Sequence, residues 1–263
     1  MIKGLNRFSE YFSGFENSYV LIGGAASHIL EDEAQLVPRA TKDLDIILVV
    51  EALSDEFVAK FWSFIKEAGY KHIQRSSQTT EFYRFRKPQD NSCPSQIELF
   101  SRIPDFIKTP NNIHIVPIPT GEDLSSLSAI LMNDEYYNYT ISNSDIVQGV
   151  HIARSNALIC LKASAYLDLQ KRQAQGEGVD SDDIVKHRND IIRLGLTLTA
   201  EQSFTVPEGI KVELHRFFDA IQNNLPQDDF IERTGARGIK VTDVIERIKK
   251  AFYMGHLNFA VDK

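Results

Sequence analysis

Apolar positions in the first half of the chain follow two rhythms. Leu5, Phe8, Phe12 and Phe15 stand three and four residues apart, the stripe of an amphipathic helix over residues 4–16. Tyr19-Val-Leu-Ile22 is a short apolar strand broken by Gly23-Gly24, after which Ala25-Ala-Ser-His-Ile-Leu30 continues as a helix. Beyond a polar loop over 31–42, Asp43–Val50 alternates: Asp43, Asp45, Ile47 and Val49 share one face, Leu44, Ile46, Leu48 and Val50 the other. That is a strand buried on both sides except at its acidic end. Ser54-Asp-Glu caps a helix whose stripe is Phe57, Phe61, Trp62, Phe64 and Ile65. Glu81–Lys87 reads as a strand with Phe82, Arg84 and Arg86 opposite Tyr83 and Phe85; Gln96–Phe100 is another, with Gln96, Glu98 and Phe100 opposite Ile97 and Leu99. A further strand is predicted over 113–118 and a short helix over Leu124–Met132. Tyr136, Tyr137 and Tyr139 suit a strand, or a platform for stacking a base.

From about residue 145 the helical rhythm dominates. Ala153–Arg172 carries Leu158, Leu161, Ala165 and Leu169 on its apolar side, and Ser181–Leu194 begins with a Ser cap and an acidic first turn. Val212–Leu225 and Val241–Phe252 supply two more helices. The predicted fold class is α+β: a mixed β-sheet domain with flanking helices over 1–145, followed by an all-α domain over 146–263. With 263 residues and 43% hydrophobic content the chain has material for a sizeable core, and its net charge of −7 excludes coating nucleic acid by overall charge while permitting a local basic groove. Cys93 and Cys160 form neither a disulfide framework nor a zinc motif. The N-terminus lacks the apolar region of a signal peptide, and no apolar run approaches the ~18 residues of a membrane span. The expectation is a soluble, cytoplasmic protein with no membrane partner.

The acidic strand suggests chemistry. Residues i and i+2 of a strand point the same way, so Asp43 and Asp45 can share a divalent cation, and Glu98 is a third carboxylate in an otherwise apolar strand. Three hard oxygen donors suit Mg²⁺, one ion or two. The glycine pair lets backbone N–H groups at a helix start approach a phosphate, so Gly23, Gly24 and Ser27 are candidate contacts for a nucleoside triphosphate and Arg39 a candidate counter-charge. Arg84 and Arg86, with Lys71 and Arg75 near in sequence, read as an exposed strand face or as a basic surface for an RNA acceptor. His28 is assigned a structural role.

Gly23-Gly24, then Asp43-Leu-Asp45, then Glu98 on a later strand resembles the nucleotidyltransferase superfamily of the polymerase-β type. Within it, Gly-Gly-Ala followed by Arg39-Ala-Thr-Lys-Asp-Leu-Asp45 is similar to the AbiEii group of toxin nucleotidyltransferases. The resemblance implies a nucleotidyltransferase-like catalytic domain whose cleft is closed by the helical one. It implies transfer of a nucleoside monophosphate from an NTP to an RNA or protein acceptor, in a toxin–antitoxin or abortive-infection system with a cognate antitoxin. Asp43, Asp45 and Glu98 would bind Mg²⁺, Lys162 would contact the triphosphate, and Asp190 would help activate the acceptor. Ala25 stands where many members place serine or threonine. The alternatives are a catalytically silent regulatory protein of the same fold, or an antibiotic nucleotidyltransferase.

Overall fold

The computed structural model describes residues 2–72, 83–102, 115–118 and 127–252; Arg75 and Phe82 lie outside them. Within these the fold is mixed α+β, and the contacts divide the chain into two compact units. The first comprises residues 1–28 and 39–154, the second 29–38 and 155–263.

In the first unit, α1 (Leu5–Tyr11) and a 3-10 turn (Glu16–Ser18) lead to β1 (Tyr19–Ile22), α2 (Gly23–Glu33, its residues from Ile29 onward counted in the second unit), β2 (Asp43–Leu48) and α3 (Asp55–Glu67). There follow β3 (Lys71–His72), β4 (Arg84–Arg86), β5 (Gln96–Ser101), β6 (Ile115–Ile118), β7 (Leu127–Leu131), α4 (Asp134–Ser142), β8 (Ser144–Val147) and β9 (Val150–Ala153). The sheet runs β3-β4-β5-β2-β1-β9-β8, with β7 joining the end of β5 and carrying β6. β2 lies antiparallel to β1 and parallel to β5.

Alternation decides which face each side chain takes. Tyr19 and Phe85 face an aromatic layer built by Phe8 and Phe12 with Phe57, Phe61 and Phe64 of α3; ring centroids are 5.2 Å apart for Phe8–Tyr19 and 5.6 Å for Phe61–Phe85. All seven are buried, each contributing about 1.5–3 kcal/mol of apolar transfer. The register partners of this layer's strand residues leave Asp43, Asp45, Gln96 and Glu98 on the opposite face. Ser54 caps α3, its hydroxyl accepting from Phe57 N at 3.2 Å.

Several expectations change. Leu127–Leu131 is a strand, not part of a helix, because it pairs with both β6 and β5. Tyr136, Tyr137 and Tyr139 lie on α4, where Asn133 caps the helix by accepting from Glu135 N at 2.8 Å. Burial within about one turn of that helix, rather than β-propensity, accounts for them. The sheet also continues past residue 145 through the hairpin β8–β9, whose turn residues Gln148 (φ 51°) and Gly149 (φ 78°) have the two positive φ angles of a two-residue turn.

The second unit contains α5 (Ser155–Ala174), α6 (Ser181–Leu196), α7 (Glu208–Ile221), α8 (Asp229–Glu232) and α9 (Val241–Ala251). α6 is capped by Asp180, which accepts from Asp182 N at 3.0 Å, one residue before the predicted Ser181. Tyr166 of α5 meets Phe217 of α7 edge-on at 5.1 Å. Gly195 brings α6 against α9, since a Cβ there would stand 2.6 Å from Ile248 Cδ1 and from Val244 Cγ1. Residues 29–38 belong to this unit through Arg193, which donates to Glu31 Oε2 at 2.6 and 3.1 Å and to the Val37 carbonyl. No described helix is long and apolar enough to cross a membrane.

Candidate functional site

The glycine turn and the acidic strand meet. Ile22 pairs with Asp45 across β1 and β2, and the next residue, Gly23, has φ +64°, a conformation side chains resist. A Cβ on Gly23 would lie 2.0 Å from Asp45 Oδ2, so the Asp45 carboxylate rests directly on the bare Cα at the start of α2. The helix N-terminus carries partial positive charge, which favours a carboxylate or a phosphate there. Gly24 is equally crowded: a Cβ would meet Thr41 Oγ1 at 2.9 Å and an Arg39 guanidinium nitrogen at 3.7 Å. The loop bearing both is tied to α2 through His28, whose Nδ1 hydrogen-bonds with the Arg39 carbonyl at 3.0 Å. The structural reading of His28 therefore has a consequence for the site: it fixes the backbone from which Arg39 extends. The sequence signal for Thr41 is only its position two residues before Asp43. The buried Ser27 hydroxyl donates to Gly23 O at 2.8 Å, stapling the first turn of α2, and its proton is committed there.

Along the sheet two rows form. Asp45, Glu98 and Arg84 are successive register partners on β2, β5 and β4; Asp43, Gln96 and Arg86 are the next row. Asp43, Asp45 and Glu98 thus share one face, as alternation requires. Glu98 is not a lone carboxylate, however. Its Oε1 accepts from the Arg84 guanidinium and its Oε2 from Gln96 Nε2 at 3.2 Å. Arg84 and Glu98 lie opposite across an antiparallel pair, a juxtaposition readable from two alternating strands once their register is known.

The donors suit Mg²⁺ in chemistry and in backbone register, Asp43 and Asp45 both half-exposed. Their side chains do not close a cage with Glu98: among the described residues no group of three His, Cys, Asp or Glu is arranged to hold a metal ion. Arg84 and Gln96 engage both oxygens of the third carboxylate.

Lys162 and Asp190 belong to the helical unit. The Lys162 ammonium donates to Asp190 Oδ2 at 2.8 Å, with side chains 7% and 4% exposed. Sequence spacing puts Asp190 on a solvated face with Asp183 and Lys186; those two are exposed, but Asp190 is buried where α6 runs beneath its neighbours. His187 stands beside this pair. Burial, then the nearby Lys162 charge, pushes its pKa down to about 4, and its Nδ1 is buried without a hydrogen-bond partner among the described residues. Sequence gave no signal for it.

Neither a protein-family model nor a curated protein matches this sequence.

Proposed function

We propose that this chain is a Mg²⁺-dependent nucleotidyltransferase, transferring a nucleoside monophosphate from an NTP to an RNA or protein acceptor, as the toxin of a toxin–antitoxin or abortive-infection pair. The observation that carries the reading is the seating of the Asp45 carboxylate on Gly23, which makes the glycine turn and the acidic strand one site. A turn that served only to reverse the chain has no need of a carboxylate at its Cα.

Asp43 and Asp45 would hold the metal, which when bound neutralises charge on the triphosphate and on the attacking and leaving oxygens. The N–H groups at the start of α2 bind phosphate oxygen through the backbone alone, since Ala25 offers no hydroxyl. Arg39, held over Gly24 by His28, adds a counter-charge. Glu98 positions Arg84 on the same face of the sheet. Within the helical unit Lys162 and Asp190 hold each other; by the resemblance Lys162 would contact the triphosphate and Asp190 would help activate the acceptor.

Purified protein incubated with Mg²⁺, each labelled NTP and total RNA or cell extract is expected to label an acceptor. Asp45→Ala and the near-isosteric Asp45→Asn should abolish labelling while keeping the far-ultraviolet circular dichroism of the wild type. Equal labelling by all three proteins refutes the assignment.

A further inference from the structure

The sheet end that carries Asp43 is ringed by cations. Lys71 and Arg86 are register partners in the row of Gln96 and Asp43, and both are exposed. One step further out, Ser95 N donates to Lys42 O at 2.7 Å and Lys87 N to Ser95 O at 3.2 Å, which puts exposed Lys42 and Lys87 level with each other on either side of Ser95. Lys3 Nζ donates to Ser95 Oγ at 3.2 Å. Among the described residues none of these five cations pairs with a carboxylate. Arg86 meets only the neutral Gln96 side chain. Five cations without an ion-pair partner, against Asp43 in the same row, make this end of the sheet more basic than the chain as a whole, whose net charge is −7.

From this we infer that the collar, Lys71 and Arg86 on the Asp43 face continued around the sheet end by Lys3, Lys42 and Lys87, binds the phosphate backbone of a nucleic-acid acceptor and delivers its end to the Asp43–Asp45 face. The inference rests on the nucleotidyl-transfer reading and names its acceptor as a nucleic-acid strand rather than a protein hydroxyl. Extent decides against the triphosphate as occupant. From β3 to β2 the collar crosses three inter-strand steps, about 14 Å at ~4.8 Å each, longer than one triphosphate and suited to a run of phosphates. A protein acceptor is held mainly by aromatic and apolar anchors, whereas all five collar residues are cationic.

The test is fluorescence anisotropy of a labelled single-stranded RNA oligonucleotide in EDTA without nucleotide, over a series of salt concentrations. Lys71→Glu/Arg86→Glu is expected to weaken binding more than tenfold and to reduce the log–log salt slope by about 1.4, at ~0.7 per phosphate contact. Lys71→Gln/Arg86→Gln should lie between, and Lys250→Glu, on α9, should match the wild type. Unchanged affinity and slope in the double reversal overturn the inference, as does displacement of the RNA by inorganic tripolyphosphate as effectively as by unlabelled RNA. Asp45→Ala should bind this RNA at least as well as the wild type. If it does so while labelling survives, the catalytic reading fails and the collar stands; if labelling is lost and the collar variants bind normally, only the collar fails.

Discussion

Lys162→Met isolates the energetics of the helical unit. The ammonium and the Asp190 carboxylate lie 2.8 Å apart with 7% and 4% of their side chains exposed, so deleting one leaves the other charged in a place water hardly reaches. Breaking such a pair costs about 3–5 kcal/mol, whereas replacing both partners with apolar residues is often neutral. Lys162→Met and Asp190→Leu should therefore each lose about 3–5 kcal/mol, a large share of a typical folding free energy of roughly 5–15 kcal/mol. The double variant should return to within about 1 kcal/mol of the wild type, giving a coupling of several kcal/mol. Urea denaturation followed by circular dichroism, with unchanged slope, measures all four corners of the cycle. If Lys162→Met costs under about 1 kcal/mol, or the double variant is as unstable as the sum of the singles, the burial argument is refuted. The same double variant separates structure from function. With the fold restored, NTP affinity stays low if Lys162 contacts the triphosphate and recovers if the pair is only architectural.

Three further outcomes follow from particular contacts. Gly23→Ala should cost about 1–2 kcal/mol for its positive φ, and should cut nucleotide labelling at least tenfold because its Cβ would displace the Asp45 carboxylate from 2.0 Å away. Thermal melts and labelling assays on the same preparation check both. His187, held down to about 4 by burial and by Lys162, is neutral in the fold, while the unfolded chain titrates near ~6.5. Its contribution is complete above that value; as pH falls from ~6.5 toward 4 the unfolded state takes up a proton the folded one refuses, and stability drops by up to roughly 3 kcal/mol. His187→Asn should flatten this part of the pH–stability curve, and an unchanged curve would contradict it. Arg193→Met removes a buried ion-pair partner of Glu31, which is 2% exposed, and a donor to Val37 O. A loss of about 3–5 kcal/mol is expected, with faster amide hydrogen exchange over residues 34–38.

Much of the candidate site was legible because it depends on local rules. Period-two alternation alone puts Asp43 beside Asp45 and Gln96 beside Glu98, and the break at Gly23-Gly24 marks the helix start. The long helices of the second unit follow from period 3.6, though α7 runs Glu208–Ile221, four residues earlier than the expected Val212–Leu225, and α6 is capped by Asp180 one residue before Ser181, an equally good cap. The hairpin at Gln148-Gly149 is not legible in the pattern: its strands are short, and β9 finds its second neighbour, β1, far away in sequence.

What tertiary structure alone decided is which groups face one another. Residue type and spacing set the face of each strand, but register across strands is fixed by long-range hydrogen bonding, and only that brings Arg84 onto Glu98 and the Asp45 carboxylate onto Gly23. Leu127–Leu131 shows the same limit: a short apolar run takes strand or helix according to whether a sheet edge is there to receive it. Asp190 shows it most plainly. Its spacing from Asp183 and Lys186 makes a charged helix face, and the packing of neighbouring helices over one end of that face turns a solvated aspartate into the buried partner of Lys162.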